Sequence, residues 1–226
     1  MVDHTDTRQP HGGPIRWALR PLLALLVACS GTGAVVTTAT LPPTTSSSVT
    51  TTLAGISTTQ PIDVAVVFGE ALAATSPNYR FQSVVTVGDQ AVTTIQGIVD
   101  GESVAASITA GTSEVSYVRT PEGEWVTGPD DEWSVLEGEA PAGAPLAGLA
   151  DASDLGLESS GADVTVILAT LGAAAGPAEG TRVAITVSGG FVTEIRYQAQ
   201  SGADIAEVET TVTDVGSAGV VEAPPV

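Results

Sequence analysis

The chain has no lysine, a single cysteine (Cys29) and a single methionine (Met1), and its only histidines, His4 and His11, fall within the first 28 residues. Beyond that point Arg80, Arg119, Arg182 and Arg196 carry all of the fixed positive charge. These gaps close off chemistry. A Ser-His-Asp triad needs an imidazole to move its proton, and a thiol protease needs a free thiolate. Residues 30–226 hold neither group. Zinc and copper sites draw on His or Cys, and a Schiff base needs a lysine. Hydroxyls, tyrosines, arginines and carboxylates remain; a glycosidase or a hard-cation site can still be assembled from carboxylates alone, and most enzyme classes are closed off.

Positive charge is scarce as a whole: the formal net charge is −19 and no basic stripe exists. A surface that cannot neutralise phosphates excludes nucleic acid as a partner. The same reason excludes direct electrostatic docking on anionic lipid heads. Aromatic residues make up 4% of the chain, with Phe68, Phe81 and Phe191 its only phenylalanines. Small side chains in their place leave room for a ligand, or reflect no more than an Ala-, Gly-, Val- and Thr-rich composition.

Long apolar runs are missing too. Leu22-Leu23-Ala24-Leu25-Leu26-Val27-Ala28 is far short of the ~20 residues a spanning helix needs. With Arg16 and Arg20 upstream and small residues at its end, this run reads as a secretion leader, the competing reading being an uncleaved anchor. The tetrapeptide Leu26-Val27-Ala28-Cys29 resembles the lipobox of bacterial lipoproteins. That resemblance implies a diacylated Cys29 carrying palmitate-like chains, cleavage just before it, and an extracytoplasmic chain anchored to the cell membrane by its N-terminal lipid.

Three regions follow: a leader at 1–28, a Ser/Thr/Pro-rich tether at 29–60 and one domain at 61–226. The tether lacks charge and amphipathic period, so it buries too little apolar surface to offset its ordering entropy. As a random coil it holds the domain on the order of 30 Å from the membrane. The domain opens with a helix, because Val64, Val67, Phe68, Ala71 and Leu72 recur at i, i+3, i+4, i+7 and i+8 between Pro61-Ile62-Asp63 and Ser76-Pro77. Strands are expected at 79–87, 91–99, 103–109, 114–120 and 124–127, with Trp133 and Val135 after a turn. Pro145–Ala150 has the makings of one or two helical turns within the looser stretch Pro141–Ala152. Further strands are expected at 163–170, 181–188, 191–200 and 205–214. Ser188-Gly189-Gly190 is a hairpin turn, with Val183, Ile185 and Val187 on one arm and Phe191, Ile195 and Tyr197 on the other facing inward. One face of the sheet is buried and one is wet.

Candidate sites are sparse. Phe81, Ser83, Val85 and Val87 share a face of the first strand, as do Val104, Ala106 and Ile108 on the third; alternation does not distinguish cavity lining from solid core. Trp125 and Trp133 ring a pocket mouth, touch a membrane interface or pin a hairpin as a satellite cluster. Asp130-Asp131-Glu132 lacks the spacing of a calcium loop. Glu207 and Glu209 lie about 7 Å apart on one strand face, an ordinary arrangement in an acidic chain. Neither cluster supports an enzyme, a metal site or a cofactor.

The order of these elements is similar to that of the actinobacterial LppX/LprG-type lipoproteins, relatives of the LolA carrier. The likeness rests on the lipobox Cys29, the helix Ile62–Thr75, Tyr79-Arg80-Phe81 and Gln96-Gly97-Ile98-Val99-Asp100. Glu124-Trp125-Val126 answered by Glu132-Trp133-Ser134, and the close Val212-Thr213-Asp214-Val215-Gly216 … Val220-Val221-Glu222-Ala223-Pro224, extend it. The resemblance implies an α+β fold: one strongly curved antiparallel sheet, a half-barrel, whose concave face is covered by an N-terminal helix and a mid-domain helical insertion. It also implies a lipid or similarly apolar ligand, transferred without chemistry, with Phe68, Leu72, Phe81, Val85, Ile108, Trp125 and Trp133 as cavity candidates. The alternative is an envelope sensor or adaptor that uses the same fold to bind an envelope protein or transporter.

Overall fold

In the computed structural model the described residues are 48–53, 56–128, 130, 132–137, 140, 143–201 and 204–225. The leader, Cys29 and the first half of the expected tether lie outside them.

Helix α1 spans Val64–Thr75. Asp63 caps its start, the Val66 amide donating to Asp63 Oδ1 at 3.3 Å. At the other end the Ser76 amide and hydroxyl both donate to the Leu72 carbonyl, at 2.9 and 2.8 Å, and Pro77 follows. Phe68 and Ala71 are buried, while Val64, Val67 and Leu72 pack half-buried beside them. The apolar stripe read from the spacing is therefore the face that packs, against β9 and β12 of the sheet.

The strands are β1 Ser48–Leu53, β2 Ile56–Pro61, β3 Asn78–Val87, β4 Gln90–Asp100, β5 Ser103–Ala110, β6 Ser113–Thr120 and β7 Gly123–Thr127. They continue with β8 Trp133–Val135, β9 Ser153–Ser160, β10 Val164–Thr170, β11 Arg182–Ser188, β12 Phe191–Ser201 and β13 Asp204–Thr213. Eleven of them form one open antiparallel sheet in the order β8-β7-β6-β5-β4-β3-β13-β12-β11-β10-β9. Two meanders, β3 to β8 and β9 to β13, are joined where the first strand of the domain pairs with the last, Phe81 opposite Val212.

Four features depart from the expectations. The mid-domain helical insertion that the resemblance implies is not shown: around residues 143–152 the described residues hold one 3-10 turn, Ala147–Leu149, inside the expected Pro145–Ala150, and no α-helix. Gly143, Pro145 and Gly148 disfavour helix there, one lacking a donor and two costing backbone entropy. The turn still places Leu146 and Leu149 in the core. Strand β9 was not legible, since Asp154, Gly156 and Glu158 give it low β-propensity. It forms as an edge, with two register shifts against β10. Phe191 is not inward. A shift between Thr186 and Val187 leaves Val192 opposite Val187, so Val192 is fully buried and Phe191 is 39% exposed. Finally, β1 and β2 pair with each other, Thr50 opposite Thr59 and Thr51 opposite Thr58, inside the stretch whose composition predicts a tether. β-branched Thr favours extended backbone, and a lone hairpin has only marginal stability in water.

The core sits on one face. Tyr79 and Phe81 of β3, Val99 of β4, Val104 and Ala106 of β5 and Val212 of β13 meet Ile167, Ala169, Val183, Ile185 and Ile195 of the second meander. Phe68 and Ala71 from α1 and Leu146 and Leu149 from the turn close over them. Ser83 and Thr210, a directly opposed pair within this face, satisfy each other at 2.7 Å. The last turn of α1 is tied to the sheet through Thr75, whose hydroxyl donates to the Ala71 carbonyl at 2.7 Å and accepts from the Val192 amide at 2.9 Å.

Candidate functional site

Alternation in β3 to β8 assigns every candidate on those strands to one of two faces. Phe81, Gly97, Ala106 and Tyr117 stand in one cross-strand row, which continues to Val126. This is the core face. Arg80, Ile98, Ala105, Val118 and Trp125 form a row on the opposite face. The cavity candidates named from the sequence therefore do not converge. Phe68, Leu72 and Phe81 join the main core. Val85 is half-buried between Val208 and Thr93, and Ile108 is wholly buried between Ile95 and Val115, all on the core face. Trp125 and Trp133 lie on the other face, in a small cluster with Val118 and Val221 that also touches Ile98 and Ala105.

That second cluster depends on the C-terminal tail. Asn78 accepts from the Ala218 amide at 2.8 Å and donates to the Gly219 carbonyl at 2.8 Å and to Asp100 at 3.3 Å. Asp100 in turn accepts from the Val221 amide at 3.4 Å. Two side chains at the ends of β3 and β4 thus clamp the tail and seat Val221 against Trp125.

The core face is not wholly apolar. Tyr79 and Tyr117 are buried, and neither hydroxyl has a partner of hydrogen-bonding geometry among the described residues. Burial pushes the Tyr79 phenol well above its ordinary value, with the Leu146 backbone acting the other way. Burial, then the charge of Glu124 and an interaction with its carboxylate, raise Tyr117 to about 12, while Arg119 opposes them. Arg119 and Glu124 are directly opposed across β6 and β7 on that same face. Toward this end the apolar surface passes from Phe81 through Ile108 and Val126 to a polar rim.

The acidic candidates stand apart. Glu209 pairs with Arg196 at 3.2 Å, and Glu207 lies opposite Gln198. Asp130 and Glu132 are exposed, and Asp131 lies outside the described residues. Among the described residues no group of three or more His, Cys, Asp or Glu comes within reach of one metal ion. No described helix is long and apolar enough to cross a membrane.

No protein-family model matches the chain, and no curated protein matches it. Among solved structures it is similar to the hypothetical protein CT021 from Chlamydia trachomatis, at 11% identity and a TM-score of 0.34, over 70% of this chain and 96% of that one. A superposition that loose carries no argument about fold or function.

Proposed function

We propose that the protein is a membrane-anchored extracytoplasmic lipoprotein that binds a lipid or similar apolar ligand and passes it on without chemistry. The observation that carries this reading is the extent of the core face. Helix α1 packs on β9 and β12, yet apolar inward positions continue across β4 to β7 through Ile95, Ile108, Val115, Tyr117 and Val126. Such a surface accommodates acyl chains if the sheet curls into a half-barrel and the Leu146–Leu149 turn yields. Each CH₂ removed from water contributes about 0.8 kcal/mol, so tails rather than head groups supply most of the affinity. The LppX/LprG resemblance belongs to this proposal, as does the anchoring of the chain through acylated Cys29.

Native mass spectrometry of the full chain from a lipid-rich host tests it. A discrete extra mass that releases acylated lipid on extraction is the expected result. A clean apo mass, with no uptake of added phospholipid or fatty acid, overturns the carrier reading. Metabolic labelling with a fatty-acid probe tests the anchor separately: Cys29→Ala is expected to abolish labelling, and persistent labelling refutes the lipoprotein assignment.

A further inference from the structure

The face opposite the core is not a featureless wet surface. It holds a groove of about 550 Å³ lined by residues of β13, β3, β4, β5 and β6, Phe81, Gly97, Ala106 and Tyr117 of the core-face row among them, and walled by Trp133. That volume falls within the range of small-molecule sites. Its floor follows the register. Thr211, Gln82, Gln96, Ser107 and Ser116 are successive cross-strand neighbours on this face. The row passes on through Thr127, which stands opposite Trp133. With strands about 4.8 Å apart, Thr211 to Trp133 covers on the order of 30 Å. Beside it lies the row of Arg80, Ile98, Ala105 and Val118, apolar apart from its first member.

The chemistry of this lining is specific. Gln82 and Gln96 are exposed and directly opposed, and neither amide is engaged by the described residues. Each amide offers two donors and an acceptor, and each hydroxyl both donates and accepts. Groups of this kind match a ligand whose own groups do both. Arg80 is the one charged residue of the lining, and Asp214 holds it at 3.3 Å. Glu114, at the groove's edge, accepts from Ser107 at 2.8 Å. With carboxylates at the margins and a net charge of −19, an anionic ligand is repelled. Without a carboxylate in the lining itself, a cationic one finds no partner there. Trp133 adds an indole flank, on which the apolar C–H face of a sugar ring packs.

We infer that this groove binds a neutral oligosaccharide, extended across the strands with one ring against Trp133 and its hydroxyls shared among Gln82, Gln96, Ser107 and Ser116. The inference is independent of lipid binding, because the groups that would bind the sugar, Gln82, Gln96, Ser107 and Ser116, stand on the face opposite the apolar core, so that either reading fails without the other. For a tethered extracytoplasmic domain such a site would serve to hold the protein against surface or wall glycan.

Calorimetric titration of the full chain with neutral hexasaccharides tests it, using cellohexaose, maltohexaose and chitohexaose, with oligogalacturonate as the anionic control. Saturable binding of at least one neutral chain is expected, in the millimolar to micromolar range. It should weaken at least tenfold in Gln82→Ala/Gln96→Ala, a pair of exposed changes that leaves thermal stability as it was. Trp133→Phe keeps an aromatic wall and should bind more tightly than Trp133→Leu. Absence of saturable binding by all three neutral chains up to about 10 mM overturns the inference. Undiminished binding in the double variant, or oligogalacturonate binding as well as the neutral chains, does the same.

Discussion

Thr75→Val is the sharpest probe of how helix and sheet are joined. The Thr75 side chain is fully buried, and its hydroxyl is the acceptor for the Val192 amide at 2.9 Å. Val192 sits where the β11–β12 register shifts, and its side chain is fully buried. Valine has nearly the shape of threonine, so little packing changes, but the Val192 N–H is left with no acceptor. A buried unsatisfied donor costs about 1–3 kcal/mol. Relief from the Thr75 hydroxyl's own bond to the Ala71 carbonyl is small, because that carbonyl already belongs to a helix. A loss of about 2 kcal/mol lowers the melting temperature by about 4–8 °C for a domain of this size. Thr75→Ser retains the hydroxyl and should lose less, through its missing methyl alone. Thermal unfolding of the three proteins gives the energies, and hydrogen exchange at Val192 localises the effect. If Thr75→Val were as stable as the parent and the Val192 amide equally protected, the proposed link between helix and bulge would be wrong.

Other consequences follow from single contacts. A Cβ at position 97 would stand 2.5 Å from the Ala105 carbonyl oxygen and 2.7 Å from the Phe81 ring, so Gly97→Ala should destabilise by about 1–3 kcal/mol, read as a lowered urea midpoint at constant slope. Unchanged stability would mean that Phe81 does not lie over the glycine. Asn78→Ala removes the bonds to Ala218 and Gly219 and should free the tail, giving faster proteolysis after residue 214 and a red-shifted tryptophan emission as Trp125 loses Val221. A tail as resistant as the parent's would refute the clamp. Tyr117 binds its proton more tightly folded, at about 12, than its ordinary value of about 10. The sign follows: its contribution is whole below about pH 10, declines as the pH rises towards 12, and is absent above that. Tyr117→Phe should therefore show a shallower alkaline decline in denaturant unfolding, with an identical slope excluding the assignment.

Much of this architecture is legible in linear order because it depends on local period and local turns. The 3.6-residue stripe from Val64 to Leu72, with Asp63 before it and Pro77 after, is sufficient to delimit α1. Two-residue turns such as Gly101-Glu102 and Gly189-Gly190 fix antiparallel neighbours, so most ladders follow from adjacency. β9 was invisible because an edge strand gains its stability from β10 and not from its own residues. Phe191 was misplaced because one bulge inverts every facing assignment before it, and bulges leave no periodic trace.

Composition and short local patterns decide which chemistry the protein can hold: no lysine anywhere, histidine and cysteine only near the start, an acidic surface, one helix and a succession of half-buried strands. Those properties are sums over residues or patterns a few residues long. The tertiary structure pairs β3 with β13, which places the tail beside Asn78 and Asp100. It alone parted Phe81 and Ile108 from Trp125 and Trp133 onto opposite faces, and aligned Gln82, Gln96, Ser107 and Ser116 in one row. Such placements depend on register between distant strands, and register is set by the simultaneous burial of one whole face, which no single strand encodes.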